Sequence, residues 1–80
     1  MDTKLIIYGH KFSENAMDLE VYLDQNGIAY EWRDIVDGDP DFKDELSLLA
    51  RGNLSVPTVG FPDGEVMVEP NPKEVLARFK

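Results

Sequence analysis

The chain contains no cysteine, so its own side chains can carry neither thiol–disulfide exchange nor a thiolate metal site. Few other residues suit catalysis. His10 is the sole histidine and supplies positive charge only when protonated; Lys11 stands next to it. Ser13 places a hydroxyl where a helix begins, suited to accept a hydrogen bond from an otherwise unpaired backbone N–H. Asp37, Asp39 and Asp41 alternate as the first ligands of a calcium loop do. That loop also needs glycine at its sixth position and an acid at its twelfth, where this chain has Phe42 and Leu48. The trio therefore reads as a solvated loop, with Asp39 as a helix cap.

Composition narrows the partners. Sixteen acidic residues against eight basic give a net charge of −8, the wrong sign for nucleic acid or for an anionic membrane surface. No segment approaches the ~18 apolar residues of a membrane span. The run after Met1-Asp2-Thr3-Lys4 is too short for a signal peptide. The expectation is a cytoplasmic protein, a monomer, with residues 1–80 forming one domain. With no disulfides, packing alone must supply the core, and 42% hydrophobic residues make that feasible.

The elements that would position these residues follow from pattern. Leu5-Ile6-Ile7-Tyr8 suits a central strand buried on both faces. After the Gly9-His10-Lys11-Phe12 loop, Ser13 caps a helix with Glu14 in its first turn. Ala16, Leu19, Tyr22 and Leu23 lie on the buried face of that helix, and Asn26-Gly27 ends it. Ile28 to Ile35 reads as a second strand, with Tyr30 and Trp32 alternating. Asp39-Pro40 starts a helix whose buried face is Phe42, Leu46 and Leu49, ending near Gly52-Asn53. Thr58 to Phe61 and Glu65 to Val68 form a hairpin around Pro62-Asp63-Gly64. Asn71 caps a last helix, with Pro72 next and Glu74 placed for a capping box; Val75, Leu76 and Phe79 supply its apolar stripe. The order β-α-β-α-β-β-α implies an α/β domain, a mixed four-stranded sheet with helices on both faces. This is the thioredoxin fold.

Three stretches go further than pattern. From Lys4 to Phe79 the chain resembles the glutaredoxin family, in particular its small bacterial and mycoredoxin-like members. The stretches are Leu5 to Leu23 closing on Gly27-Ile28, then Tyr30 to Ile35 followed by Asp39-Pro40, and finally Ser55-Val56-Pro57-Thr58-Val59 with Phe61-Pro62-Asp63-Gly64 and Val68-Glu69-Pro70. The resemblance implies a cis-proline at Val56-Pro57, whose Val56 backbone would pair with glutathione or a peptide. It also implies that the family's two cysteines fall at Ser13 and Ala16. Family redox chemistry is then excluded, because a serine hydroxyl is far less acidic than a thiol. Glu14 and Asn15 depart from the family pattern too, which favours divergence over deliberate replacement of two cysteines.

What the resemblance leaves is binding, with no catalytic residue and no cofactor. The groove between Ser13 and Pro57 is expected to hold a thiol compound such as glutathione, a peptide or a protein partner. Its candidate residues are His10, Lys11, Phe12, Ser13, Arg51, Asn53, Val56, Pro57 and Asn71, and Tyr8 is a further aromatic for its wall. Glu69-Pro70-Asn71-Pro72 replaces the Gly-Gly-acid segment with which the family holds the γ-glutamyl end. The alternative is an activity like that of glutathione transferases, in which Ser13 would donate a hydrogen bond to a bound thiolate.

Overall fold

The computed structural model describes residues 4–79, with Phe79 represented by its backbone. Met1, Asp2, Thr3, Lys80 and the Phe79 side chain expected on the last apolar stripe lie outside the described residues. The elements are β1 (Leu5–Gly9), α1 (Glu14–Gln25), β2 (Tyr30–Asp34), α2 (Asp41–Leu49), β3 (Thr58–Gly60), β4 (Val66–Val68) and α3 (Pro72–Phe79). Their order is the one read from the pattern. The sheet runs β2-β1-β3-β4, with β1 parallel to β2 and antiparallel to β3, and β4 antiparallel to β3.

Register sorts the side chains between the two faces, because directly opposed residues point the same way. Ile7 is opposite both Trp32 and Val59, and Val59 is opposite Met67. These join Leu5, Leu19, Leu23, Ile28 and Val75 in the main core, between the sheet and the α1/α3 pair. The other face carries Tyr8, opposite both Arg33 and Thr58, and receives α2.

Helix ends follow their caps closely. Ser13 Oγ accepts from Ala16 N at 3.2 Å. The far end of α1 closes as a Schellman motif, with Ile28 N donating to Leu23 O at 3.0 Å and Gly27 N to Asp24 O at 3.2 Å; Gly27 is left-handed at φ +67°, as that motif requires. Ile28 is thereby used to end a helix and pack on the core. This is why β2 starts at Tyr30 and not at Ile28. At its other end Ile35 N donates to Gly9 O while Asp34 Oδ1 accepts from the Val36 and Asp37 N–H groups, so the chain turns before Ile35 can extend the strand. The hairpin strands are also shorter than their pattern. Phe61 N donates to Glu65 O and Gly64 N to Phe61 O, placing Phe61 and Glu65 in the connecting loop.

The start of α2 behaves as its sequence suggests. Pro40 has helical dihedrals and Asp39 Oδ1 accepts from Asp41 N at 2.9 Å, so assignment of the first residue differs by one or two positions only. The buried face needs correction. Leu46 is fully buried and Phe42 half-buried, but Leu49 is 44% exposed and Leu48 84% exposed. Leu49 borders an open hollow on the α2 face, and part of the contact between α2 and the sheet is made by charge. Arg33 Nη1 donates to Glu45 Oε1 at 2.5 Å and to Tyr8 Oη at 3.3 Å, and Arg33 Nε donates to Glu31 Oε2 at 2.5 Å. Its guanidinium lies 5.8 Å from the Tyr8 ring centroid and 5.5 Å from that of Phe42, a cation–π arrangement on both sides. The hydrogen bond to Glu31 leads in holding Arg33 above the ordinary guanidinium pKa.

The end of α2 contains a backbone cost. Gly52 N donates to Ser47 O at 2.7 Å, closing the helix, but the left-handed residue after the cap is Arg51 at φ +55°. Glycine takes that conformation without a Cβ penalty of ~1–2 kcal/mol. Arg51→Gly is therefore expected to stabilise the fold by about 1 kcal/mol, less the extra entropy of an unfolded glycine. Urea denaturation checks this: the midpoint should rise, and an unchanged or lower midpoint would remove the argument.

Candidate functional site

The first turns of α1, the proline loop and the start of α3 border one cleft. The Val56–Pro57 peptide bond is cis. Pro57 is fully buried, and Thr58, also buried, donates its hydroxyl to Ser55 O at 2.8 Å, which braces the loop. Glu69 N donates to Pro57 O at 2.7 Å, so the strand end and the proline are tied together. Glu69 adopts φ +49°, an uncommon backbone for a residue with a side chain, and turns the chain from β4 into α3.

Beside Pro57 lies a cleft of about 420 Å³. Asn15 and Asp18 border it from α1, one turn apart and therefore on one face; the Glu69-Pro70-Asn71-Pro72 segment and Glu74 border it from the other side. Three of its lining residues, Asp18, Glu69 and Glu74, carry carboxyl groups, and none is basic. A second hollow of about 270 Å³ lies on the α2 face, where Tyr8, Leu49 and Phe61 contribute. Tyr8 thus faces away from the proline cleft: its Oη donates to Glu45 Oε1 at 3.1 Å. Burial leads in raising its pKa above the ordinary phenol value.

Of the candidate residues, Pro57 and Asn71 line the cleft. Ser13 stands half-buried at the cap of α1, two residues before Asn15. Val56 precedes Pro57 and is half-buried; its N–H and C=O take no partner among the described residues. The basic candidates sit outside the cleft lining. Lys11 Nζ pairs with Asp37 Oδ2 at 3.0 Å, directing its charge to the β2–α2 loop. The Nδ1 atom of His10 is buried without a hydrogen-bond partner. Phe12 is 72% exposed with Lys11 Nζ 5.6 Å from its ring centroid. Arg51 is exposed at the end of α2, and Asn53 Oδ1 accepts from Ser55 N at 2.8 Å, shaping the loop ahead of the proline.

Asp34 ends β2 and holds the turn that follows it. Burial raises its pKa, but the N–H groups of Asp37 and Val36 outweigh that, helped by His10, and the carboxyl is held below its ordinary value. Position 16 is sealed: Ala16 is fully buried, and a Cβ added at Gly9 would stand 3.1 Å from Ala16 Cβ and 2.8 Å from the Trp32 ring. Gly9 is required by that close approach.

The N-terminus of α3 is closed by its own residues. Asn71 Oδ1 accepts from Lys73 N at 2.9 Å, and Glu74 Oε1 accepts from Asn71 N at 3.3 Å, completing the capping box. Pro72 has no N–H, and Glu74 N donates to Asn71 O at 2.9 Å. A helix start normally offers free N–H groups and positive potential to an anion. Here those at Asn71, Lys73 and Glu74 are occupied and a carboxylate stands among them. Asn15, Asp18 and Glu69 were not singled out from sequence as site residues. Asp18 reads there as the polar face of a helix, and only the tertiary fold carries Glu69 alongside it.

No protein-family model and no curated protein matches the sequence. Solved structures do match. The chain superposes on a glutaredoxin from Archaeoglobus fulgidus with a TM-score of 0.79 at 15% identity, covering 94% of this chain and 84% of that one. It superposes on a point mutant of the thioredoxin-like protein BC3987 with a TM-score of 0.83 at 23% identity, covering 96% of this chain and 100% of that one. What the three share is the thioredoxin-like fold.

Proposed function

We propose that this thioredoxin-like domain without cysteines is a redox-inactive binding module, and that its groove at Val56-Pro57 takes an extended polypeptide segment. The observation that carries this reading is the unpaired N–H and C=O of Val56 beside the cleft. Both groups are left for a ligand or for solvent, and an extended chain can satisfy the two at once, as in strand addition. The scaffold is kept, whereas the thiol that would turn binding into chemistry is absent.

Glutathione fits less well than a peptide. Two carboxylates make it a net anion, and the cleft offers it Asp18, Glu69 and Glu74 together with a helix start that is already capped. The transferase-type alternative has one feature in its favour. Ser13 Oγ accepts from Ala16 N, which leaves the hydroxyl hydrogen free to donate to a thiolate. It requires the same glutathione anion in the same acidic surroundings, so one titration bears on both readings.

Amide NMR is the test. A capped neutral peptide of alanine, valine and serine is expected to shift resonances at Ser13, Val56 and Glu69 as it saturates. Glutathione at millimolar concentration is expected to leave Asn71 and Val56 in place. Glutathione shifts clustered on Ser13, Val56 and Asn71, or peptide shifts elsewhere, would overturn the peptide reading.

A further inference from the structure

We infer that the free edge of β2 pairs with β2 of a second copy, antiparallel about a two-fold axis at Trp32, to give a weak homodimer. This surface is separate from the proline groove and stands independently of the reading given for it. Strand parity sets which main-chain groups are available. Ile35 N donates to Gly9 O, and along a parallel ladder alternate residues face the neighbouring strand. Glu31 and Arg33 therefore direct their N–H and C=O groups to β1, whereas Tyr30, Trp32 and Asp34 direct theirs outward. The strand β2 is outermost in the sheet. Of its outward groups only Asp34 O has a main-chain partner among the described residues, Gly38 N at 3.1 Å.

Charge then selects both the occupant and the register. Side chains that meet across strands share a face, so a symmetric pairing centres on one residue. Centring on Glu31 or on Arg33 sets that residue against its own copy, and like charges directly opposite are destabilising. Centring on Trp32 aligns the whole of Tyr30–Asp34 and sets each Glu31 opposite Arg33 of the other copy. These are non-hydrogen-bonded pairs, whose side chains stand closest. The two Trp32 residues exchange N–H···O bonds, and each Asp34 N–H donates to Tyr30 O opposite. Arg33 already holds its own Glu31 at 2.5 Å, so the four charges form a square of alternating sign. The opposite edge of the sheet lacks this feature. There the symmetric pairing that uses all of Val66–Val68 centres on Met67 and sets Glu65 against Glu69 of the second copy. Charged side chains commonly keep a strand edge from pairing; Glu31 and Arg33, opposite in sign about Trp32, favour self-pairing instead. The net charge of −8 opposes approach of two copies, and one strand pair is a small interface. The dissociation constant is accordingly expected on the order of 10⁻⁴ M.

Sedimentation equilibrium of the full chain, from about 10 μM to about 1 mM, is the test. The native chain is expected to reach a dimer and stop there, because a two-fold interface closes. Amide exchange at Trp32 and Asp34 should slow over the same concentration range, a measurement that requires no variant. Glu31→Arg should weaken the dimer at least ~10-fold, since Arg33 of the second copy then meets a like charge. Mixing that variant with Arg33→Glu restores opposite signs at both positions, and the mixed dimer should be at least ~10-fold tighter than either variant with itself. Arg33 also holds Glu45; if Arg33→Glu fails to fold for that reason, the exchange and Glu31→Arg results decide. A monomer at about 1 mM, or a dimer whose added protection lies outside Tyr30–Asp34, would overturn the inference. So would a dimer that Glu31→Arg leaves unchanged, or no gain on mixing two folded variants.

Discussion

Replacing Ser13 and Ala16 together by cysteine is expected to give this domain a dithiol activity that the native chain lacks. Ser13 occupies the cap of α1, and its Oγ already reaches within 3.2 Å of the Ala16 backbone nitrogen. The Glu14 and Asn15 N–H groups of the first turn take no partner among the described residues. A sulfur there would sit at the positive end of the helix, where thiol pKa values fall to ~3.5–7.5. Glu14 works against that from the same turn, so the expected value lies near the top of the range, about 7. The second thiol would be buried, as Ala16 is, available to resolve a mixed disulfide and protected otherwise. The measurement is reduction of insulin disulfides with dithiothreitol as the electron source. The native chain should match the rate without protein and the double variant should exceed it clearly. A thiol at position 13 that titrates at the free value of ~8.5, together with a background rate, would show that the first turn of α1 does not activate a thiol.

The second large effect is on stability. Leu19→Ala is expected to destabilise by about 2–5 kcal/mol, the cost of removing buried methyl groups and leaving part of the cavity unfilled. Leu19 is fully buried in the core between the sheet and the α1/α3 pair. Global stability for a domain of this length is roughly 4–12 kcal/mol, so one side chain accounts for a large share. The transition temperature should fall by at least ~10 °C. Leu48→Ala is the control: Leu48 is 84% exposed, leucine and alanine are both good helix formers, and the change should stay within about 0.5 kcal/mol. Comparable losses for the two variants in thermal denaturation would mean the core has been placed on the wrong face.

Much of this fold is legible in the sequence. Hydrophobic period and turn chemistry suffice for the element order, because Gly27, Gly64 and the Asn71-Pro72-Lys73-Glu74 cap each satisfy a local rule that requires no distant partner. Leu49 shows where that logic stops. Its spacing from Phe42 and Leu46 matches a buried face, yet it borders an open hollow on that face, a gap that no helical period can foretell. Ile28 fails similarly, as a strand-like residue used to finish a helix. The candidate site divides along the same line. Ser13 and Asn71 are helix caps that local rules find, and the resemblance adds Pro57 and points to all three as site residues. Asp18 and Glu69 are far apart in the chain and have ordinary surface chemistry; only the cleft makes them a pair.

The Arg33 bridge also bears on how the domain moves. The α1/α3 side is held by closely packed apolar side chains, whereas α2 buries one leucine completely and otherwise depends on a guanidinium shared among Tyr8, Glu31 and Glu45. Local opening is easiest where little apolar area is exposed by it, and charge-mediated contacts weaken with salt. The second helix is therefore expected to open before the α1/α3 side, and more readily as ionic strength rises; amide exchange at two salt concentrations checks this, and equal protection of α1 and α2 at both would remove it.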